Sequence, residues 1–133
     1  MEVKKSGSSW SARPVWTNRN LAARFANPVY AAGHIYGLHN SRLVCLSAET
    51  GKRAWRSDES FESGQLLVCG TTLLVQAERT GELVAVAVEP TEYRELGRTK
   101  VFRGSRTWNT PSLAGGRLYL RNHEEMVCLE LAK

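Results

Sequence analysis

The side chains best suited to bind a ligand are two aromatic residues in equivalent positions of the sequence. Phe25 and Trp108 each lie three residues before a proline. Arginines and asparagines lie beside both, and a third aromatic residue lies in another connecting segment. We call this group the aromatic–arginine set, which consists of Arg24, Phe25, Asn27, Phe61, Arg106, Trp108 and Asn109. Such side chains could bind an anionic, sugar-like or peptide ligand, or they could plug a channel and pack between structural units.

The histidines and cysteines do not have the spacing of a metal site or a disulfide framework. The cysteines lie far apart in the sequence, at Cys45, Cys69 and Cys128, and the histidines, His34, His39 and His123, show no H-x-x-x-H spacing. Structural zinc sites usually contain close pairs such as C-x-x-C, and small disulfide-rich proteins contain an even number of cysteines. No G-x-S-x-G, P-loop or G-x-G-x-x-G motif is present. We therefore expect no catalytic residue and no metal ligand.

The elements that position the aromatic–arginine set come from an internal repeat. The segment "PVYAAGHIYGLHNSRLVCL" at 28–46 recurs as "PSLAGGRLYLRNHEEMVCL" at 111–129, an offset of 83 residues without a gap. A weaker third copy lies between them at 66–86. Equivalent positions Ile35, Leu73 and Leu118 are therefore 38 and 45 residues apart. This spacing, with about four short strands in each unit, is typical of β-propeller blades.

The sequence predicts an all-β chain with three blades. Short alternating apolar runs separated by glycine and asparagine indicate strands and tight turns, and the best helix candidate is the short segment 20–26. The blades are predicted at about 28–57, 65–98 and 111–132, within one domain at 13–133, after a flexible segment at 1–12. A further strand at 13–17 is predicted to supply the outer strand that the third blade lacks.

The phrase "AETGKRAW" at 48–55, together with the repeat, resembles the propeller repeats of the pyrroloquinoline-quinone (PQQ) type. In that family the tryptophan after the Thr-Gly turn docks between neighbouring blades. The resemblance gives this role to Trp55 and to Trp16, and Leu96 replaces the tryptophan in the second unit. The family's connections between blades surround a central channel, where the aromatic–arginine set would lie. Because one fold hosts many functions, the resemblance predicts architecture more than activity.

The enzymes of this family bind PQQ with a calcium ion, an aspartate base and often adjacent cysteines. Here the acidic pairs are Asp58-Glu59 and Glu124-Glu125, and no two cysteines are adjacent. Because calcium takes six to eight oxygen ligands, we expect neither PQQ nor calcium to bind. The alternative is a subunit or relic of a quinoprotein alcohol dehydrogenase-like oxidoreductase.

Composition limits the other functions. The net charge is +5, but the basic residues are scattered, so we expect no nucleic-acid partner. No apolar stretch is long enough for a transmembrane helix, and the N-terminus has no apolar signal-peptide region. The sequence as it stands indicates a cytoplasmic protein, although relatives of the resembled family are often exported.

Three blades are fewer than the four to eight of an ordinary propeller. The chain could be part of a larger propeller, could form half of a six-bladed ring with a second copy, or could complete a partner's open ring. We expect a non-catalytic module that serves as a binding or assembly scaffold.

Overall fold

The protein is built of β-strands. The computed structural model describes residues 2–103 and 106–131, and no helix occurs among them, including at 20–26. Thirteen strands follow one another: β1 (Glu2–Ser6), β2 (Ser9–Arg13), β3 (Val29–Ala31), β4 (His34–His39), β5 (Arg42–Ser47), β6 (Arg53–Ser60), β7 (Gln65–Cys69), β8 (Thr72–Gln76), β9 (Glu82–Ala87), β10 (Glu95–Lys100), β11 (Ser112–Ala114), β12 (Arg117–Arg121) and β13 (Met126–Glu130).

Three antiparallel sheets have the blade-like form that the repeat predicts. Strands β3 to β6 pair in sequence order to form blade 1, and β7 to β10 form blade 2 in the same way. Strands β11 to β13 form blade 3. The prediction of four-stranded antiparallel blades is confirmed for blades 1 and 2. Ala132 and Lys133, at the predicted end of the domain, lie outside the described residues, as does Met1.

The blades pack face to face through apolar side chains that alternate along the strands. One core, which includes Tyr36, Cys45 and Trp55 of blade 1, joins that blade to blade 2. A second core joins Leu74 of blade 2 to Leu118 of blade 3. Both faces of blade 2 are covered, so its strands β8 and β9 are apolar on both sides, as buried strands require.

The predicted outer strand at 13–17 does not form in this chain. Arg13 ends β2, and residues 14–28 have no strand. A strand needs an edge with which to pair. Here the Trp16 side chain docks instead on the turn between β5 and β6, where its indole N–H donates to the Ala48 carbonyl over 2.9 Å. The sheet of blade 3 therefore contains three strands among the described residues.

The N-terminal segment, predicted to be flexible, forms a β-hairpin. Strands β1 and β2 pair in register from Glu2↔Arg13 to Ser6↔Ser9, around a turn in which Gly7 has a positive φ of 59°. Glu2 accepts from Arg13 over 2.7 Å, and the Lys5 ammonium lies 5.5 Å from the centre of the Trp10 ring. Each of these exposed contacts stabilises the hairpin by about 1 kcal/mol or less.

Candidate functional site

The connections between blades all reach one end of the molecule. Successive strands of each blade alternate in direction. The loop between the second and third strand of a blade therefore lies at the same end as the connection to the next blade. Hydrogen bonds between the two kinds of loop agree with this arrangement: the Phe61 amide donates to the Ser41 carbonyl over 2.7 Å, and the Ala22 amide donates to Nδ1 of His39 over 3.0 Å. We call this end the loop face.

Phe25 and Trp108 meet at the loop face. Their ring centroids are 6.0 Å apart and their planes differ by 25°, which is a stacked arrangement. Both side chains are nevertheless exposed, Phe25 at 65% and Trp108 at 45% of their surfaces. Because both side chains remain exposed, the pair could bind a further flat or apolar group.

The side chain of Gln65 links the segment before blade 1 to the connection before blade 3. It lies at the start of β7 and is 1% exposed. Its Nε2 donates to the Phe25 carbonyl over 3.3 Å, and its Oε1 accepts from the Thr110 hydroxyl over 3.1 Å. A single buried amide therefore links the Phe25 backbone to the Thr110 side chain, and no sequence pattern predicted this role.

Charged groups surround the Trp108 ring. The Arg106 guanidinium lies 5.7 Å from the ring centre, and the indole N–H donates to Oε1 of Glu78 over 2.5 Å. His123 packs edge-on against the same ring at 5.5 Å. Partial burial raises the pKa of Glu78, but hydrogen bonds from Trp108 and Ser63 outweigh this effect and hold it below its ordinary value. Glu78 is therefore ionised at neutral pH and anchors the indole.

Two clefts flank the aromatic pair. One has a volume of about 360 Å³ and is lined by residues that include Arg24, Phe25, Leu38 and Glu62. The other is lined by Glu78, Arg79, Arg106 and Trp108. Both clefts contain cationic and acidic side chains. Arg79 of the second cleft lies 3.9 Å from Glu62 of the first. A ligand at this face would therefore contact two aromatic rings and several charged groups.

The structure brings only part of the predicted aromatic–arginine set together. Arg24, Phe25, Arg106 and Trp108 line the clefts, whereas Phe61 is 1% exposed and belongs to the core between blades 1 and 2. Asn27 is exposed and Asn109 is half-buried, and neither lines a cleft described above. Phe61 points inward because it directly follows β6, where its amide pairs with blade 1.

Glu78 and His123 were not predicted as site residues, although a signal existed. Both lie in loops between the second and third strands of their blades. Because these loops lie at the same end as the connections between blades, the predicted strand order already indicated that Glu78 and His123 could lie near Trp108.

The two other tryptophans of the prediction lie at the opposite end of the blades. Trp55, on β6, donates its indole N–H to the Glu89 carbonyl of blade 2 over 2.7 Å. Its ring contacts Tyr36 of its own blade and Tyr93 of blade 2, each at a centroid distance of 5.9 Å. The side chain therefore lies between two blades. Trp16 makes the corresponding contact with the Ala48 carbonyl of blade 1.

The acidic pairs do not form the donor set that calcium with PQQ would need. Glu59 is held by Arg98 over 2.7 Å, and Asp58 projects into solvent. The amides of Glu124 and Glu125 both donate to Oδ1 of Asn122, with their side chains exposed. Among residues 2–103 and 106–131, no three histidine, cysteine, aspartate or glutamate side chains lie close enough to hold a metal ion.

Comparisons with known proteins add no family. No protein-family model matches the sequence, and no curated protein is significantly similar to it. In the part of the chain that the structure describes, no helix has the length and apolar character needed to cross a membrane.

Proposed function

We propose that this chain is a non-catalytic β-propeller module of the PQQ-like repeat type that serves as a binding or assembly scaffold. The main observation in favour of a binding role is the Phe25–Trp108 stack. It is exposed, although it joins the segment before blade 1 to the connection before blade 3. Large exposed aromatic rings in a fixed position are typical of recognition surfaces. The module acts by presenting this rigid face, and its assembly partner is a second copy or the remaining blades of a larger propeller.

Charge at the loop face favours a peptide segment that carries carboxylates beside an aromatic residue. Three guanidinium groups, of Arg24, Arg79 and Arg106, lie along the two clefts, against the two carboxylates of Glu62 and Glu78. An aromatic side chain of the ligand would extend the stack, and its carboxylates would pair with Arg24 and Arg106. Arg79 already lies 3.9 Å from Glu62.

The test follows the indole N–H signals of the four tryptophans by NMR on the ¹⁵N-labelled full chain. The probe is the peptide acetyl-Asp-Phe-Asp-amide, and the control peptide carries lysines instead of aspartates. We expect the acidic peptide to shift the Trp108 signal in a saturable way, while the signal of the exposed Trp10 stays in place. The variant W108F identifies the signal.

Arg106→Met should weaken binding of the acidic peptide about tenfold, since about 1.4 kcal/mol is the size of a lost charge-assisted contact. Arg103→Met removes an exposed arginine from the same connection and serves as its control. No Trp108 shift with the acidic peptide, or equal shifts with both peptides, would contradict the proposed binding role.

A further inference from the structure

We propose that residues 14–18 of one copy complete blade 3 of a second copy, by pairing with the outer edge of its β13. Trp16 would then lie between blade 1 of its own chain and blade 3 of the second copy. This inference rests on the assembly role proposed above and specifies the residues that carry it.

Trp16 already occupies the position of an outer-strand tryptophan. Trp55 lies on the outer strand of blade 1 and donates to a carbonyl in the turn before the outer strand of the next blade, that of Glu89. Trp16 donates to Ala48, in the turn before the outer strand of blade 1. Trp16 therefore docks on blade 1 as Trp55 docks on blade 2, although among the described residues the only strands before it are those of the β1–β2 hairpin.

The neighbours of Trp16 strengthen this docking. The Asn18 and Asn20 side-chain amides both donate to the Gly51 carbonyl, over 2.8 and 3.2 Å. Leu21 covers Gly37 in the middle of β4. The segment thus lies on the face of blade 1 that points away from blade 2, which is where a preceding blade would pack.

Blade 3 leaves the outer edge of its sheet unpaired among the described residues. In blades 1 and 2 the third strand pairs on both sides, but among the residues described here no strand pairs with the outer edge of β13. An unpaired strand edge is a template for another strand, and natural proteins usually cover it. Two copies would supply six blades, within the ordinary range for a closed propeller.

Two side chains that repeat at the offset of 83 residues differ in burial between blades 1 and 3. Tyr36 and Cys45 are fully buried between blades 1 and 2. Their counterparts in blade 3 are Tyr119, which is half-buried, and Cys128, which is exposed. In blade 1 the next blade covers this tyrosine and cysteine. In blade 3 no described blade covers the equivalent pair.

The register of blade 1 predicts the contacts. Cys45 lies opposite Trp55 in the pairing of β5 with β6, and Tyr36 contacts the Trp55 ring. By the same register, Trp16 would lie opposite Cys128 of the second copy and beside its Tyr119. The neighbouring charges are complementary in this register, because Arg13 would approach Glu130 of the second copy and Arg19 would approach its Glu125.

The experiment measures the solution mass of the full chain by light scattering after size exclusion. We expect twice the chain mass of 14.8 kDa. Cys128→Arg should give the mass of one chain with unchanged thermal unfolding of the monomer, because Cys128 is exposed within a single copy. Leu96→Arg, which adds the same side chain at an exposed position of β10, should leave the mass doubled.

Cross-linking tests the register directly. In Trp16→Cys the new thiol should form a disulfide with Cys128 of a second copy under mild oxidation, giving a band of two chains that reducing agent removes. The added variant Cys128→Ser should abolish that band.

A wild-type mass of one chain, or a double mass that Cys128→Arg does not change, would overturn this inference. Peptide binding at Trp108 is measured separately, so a monomer that still binds the peptide refutes the second-copy interface alone. A dimer that does not bind it refutes the proposed binding role alone.

Discussion

The hydroxyl of Thr110 donates to the side-chain oxygen of Gln65 over 3.1 Å, and this bond links the connection before blade 3 to the first strand of blade 2. The nitrogen of the same amide reaches the Phe25 carbonyl. Gln65 thus connects the Phe25 backbone to the Thr110 side chain, two residues after Trp108. Gln65 itself is 1% exposed, so both hydrogen bonds are made by a buried side chain.

Replacing Gln65 by leucine should lower the free energy of unfolding by about 1–3 kcal/mol, the net contribution of its two hydrogen bonds. The control is Gln76→Leu. Gln76 is equally buried, but its Nε2 makes one long bond of 3.4 Å to the Arg121 carbonyl and its Oε1 has no partner, so the loss should be smaller. Urea denaturation measures both. Equal losses would show that Gln65 does not act as a link.

Trp55→Phe tests the docking of blade 1 on blade 2. The change keeps a ring but removes the N–H that donates to Glu89, which should cost about 1–3 kcal/mol of unfolding free energy. Trp10→Phe, on the exposed hairpin, should change stability by less than about 0.5 kcal/mol. The denaturation midpoint should shift for Trp55→Phe only. A midpoint equal to that of the wild type would mean that the indole does not stabilise the junction of the blades.

The strands of the blades could be predicted from the sequence because each one has a recognisable local pattern of residues. Apolar residues alternate over five or six positions, and a turn such as Asn40-Ser41 or Gly115-Gly116 separates the strands. The repeat then gives the same assignment twice. Local pattern and fold agree here, since buried strands must alternate or be apolar throughout.

Three features could not be predicted in this way, each for a physical reason. The hairpin at 2–13 buries no apolar side chain, so alternation does not reveal it. Residues 14–17 form no strand, because Trp16 docks on the turn between β5 and β6 of blade 1 instead. The contact of Glu78 with Trp108 joins residues 30 positions apart, and only the stacking of blades 2 and 3 brings them together.

Arg98 forms an ion cluster that spans blades 1 and 2. Its Nη2 lies 2.7 Å from Glu59 on β6 and 2.6 Å from Glu95 on its own strand, and its Nη1 lies 3.6 Å from Glu82. The hydrogen bond from Arg98 is the main reason that the pKa of Glu95 lies below its ordinary value. A carboxylate with a lowered pKa in the folded state stabilises the fold above its unfolded pKa.

Arg98→Met should therefore reduce stability near neutral pH, by about 1 kcal/mol or less because the group is partly exposed. The difference from the wild type should shrink as the pH falls below 4.5, the ordinary pKa of glutamate, and through the lower folded pKa of Glu95. Lys100→Met, at an exposed position of the same strand, is the control and should give a smaller difference. Thermal unfolding over a pH series measures both. A difference that grows at acid pH would contradict this assignment.

Gly51 connects the turn of blade 1 to the docked segment that carries Trp16. It has a φ of +69°, which disfavours any side chain, and a methyl group there would lie 2.7 Å from Cε3 of Trp16 and would also meet the Asn18 amide. Gly70 also has a positive φ, of +57°, but a methyl group there would have nothing within 4 Å. Alanine at Gly70 should therefore cost only the backbone strain of about 1–2 kcal/mol.

Gly51→Ala should cost more than Gly70→Ala, because it also displaces Trp16 from the turn. In the displaced segment, the indole N–H of Trp16 should exchange with solvent faster. Hydrogen exchange detected by NMR measures this rate at the Trp16 signal. If the second copy binds through this segment, Gly51→Ala should also lower the fraction of dimer, whereas Gly70→Ala should not. Equal costs for the two variants, with an unchanged Trp16 exchange rate, would show that the segment does not depend on this contact.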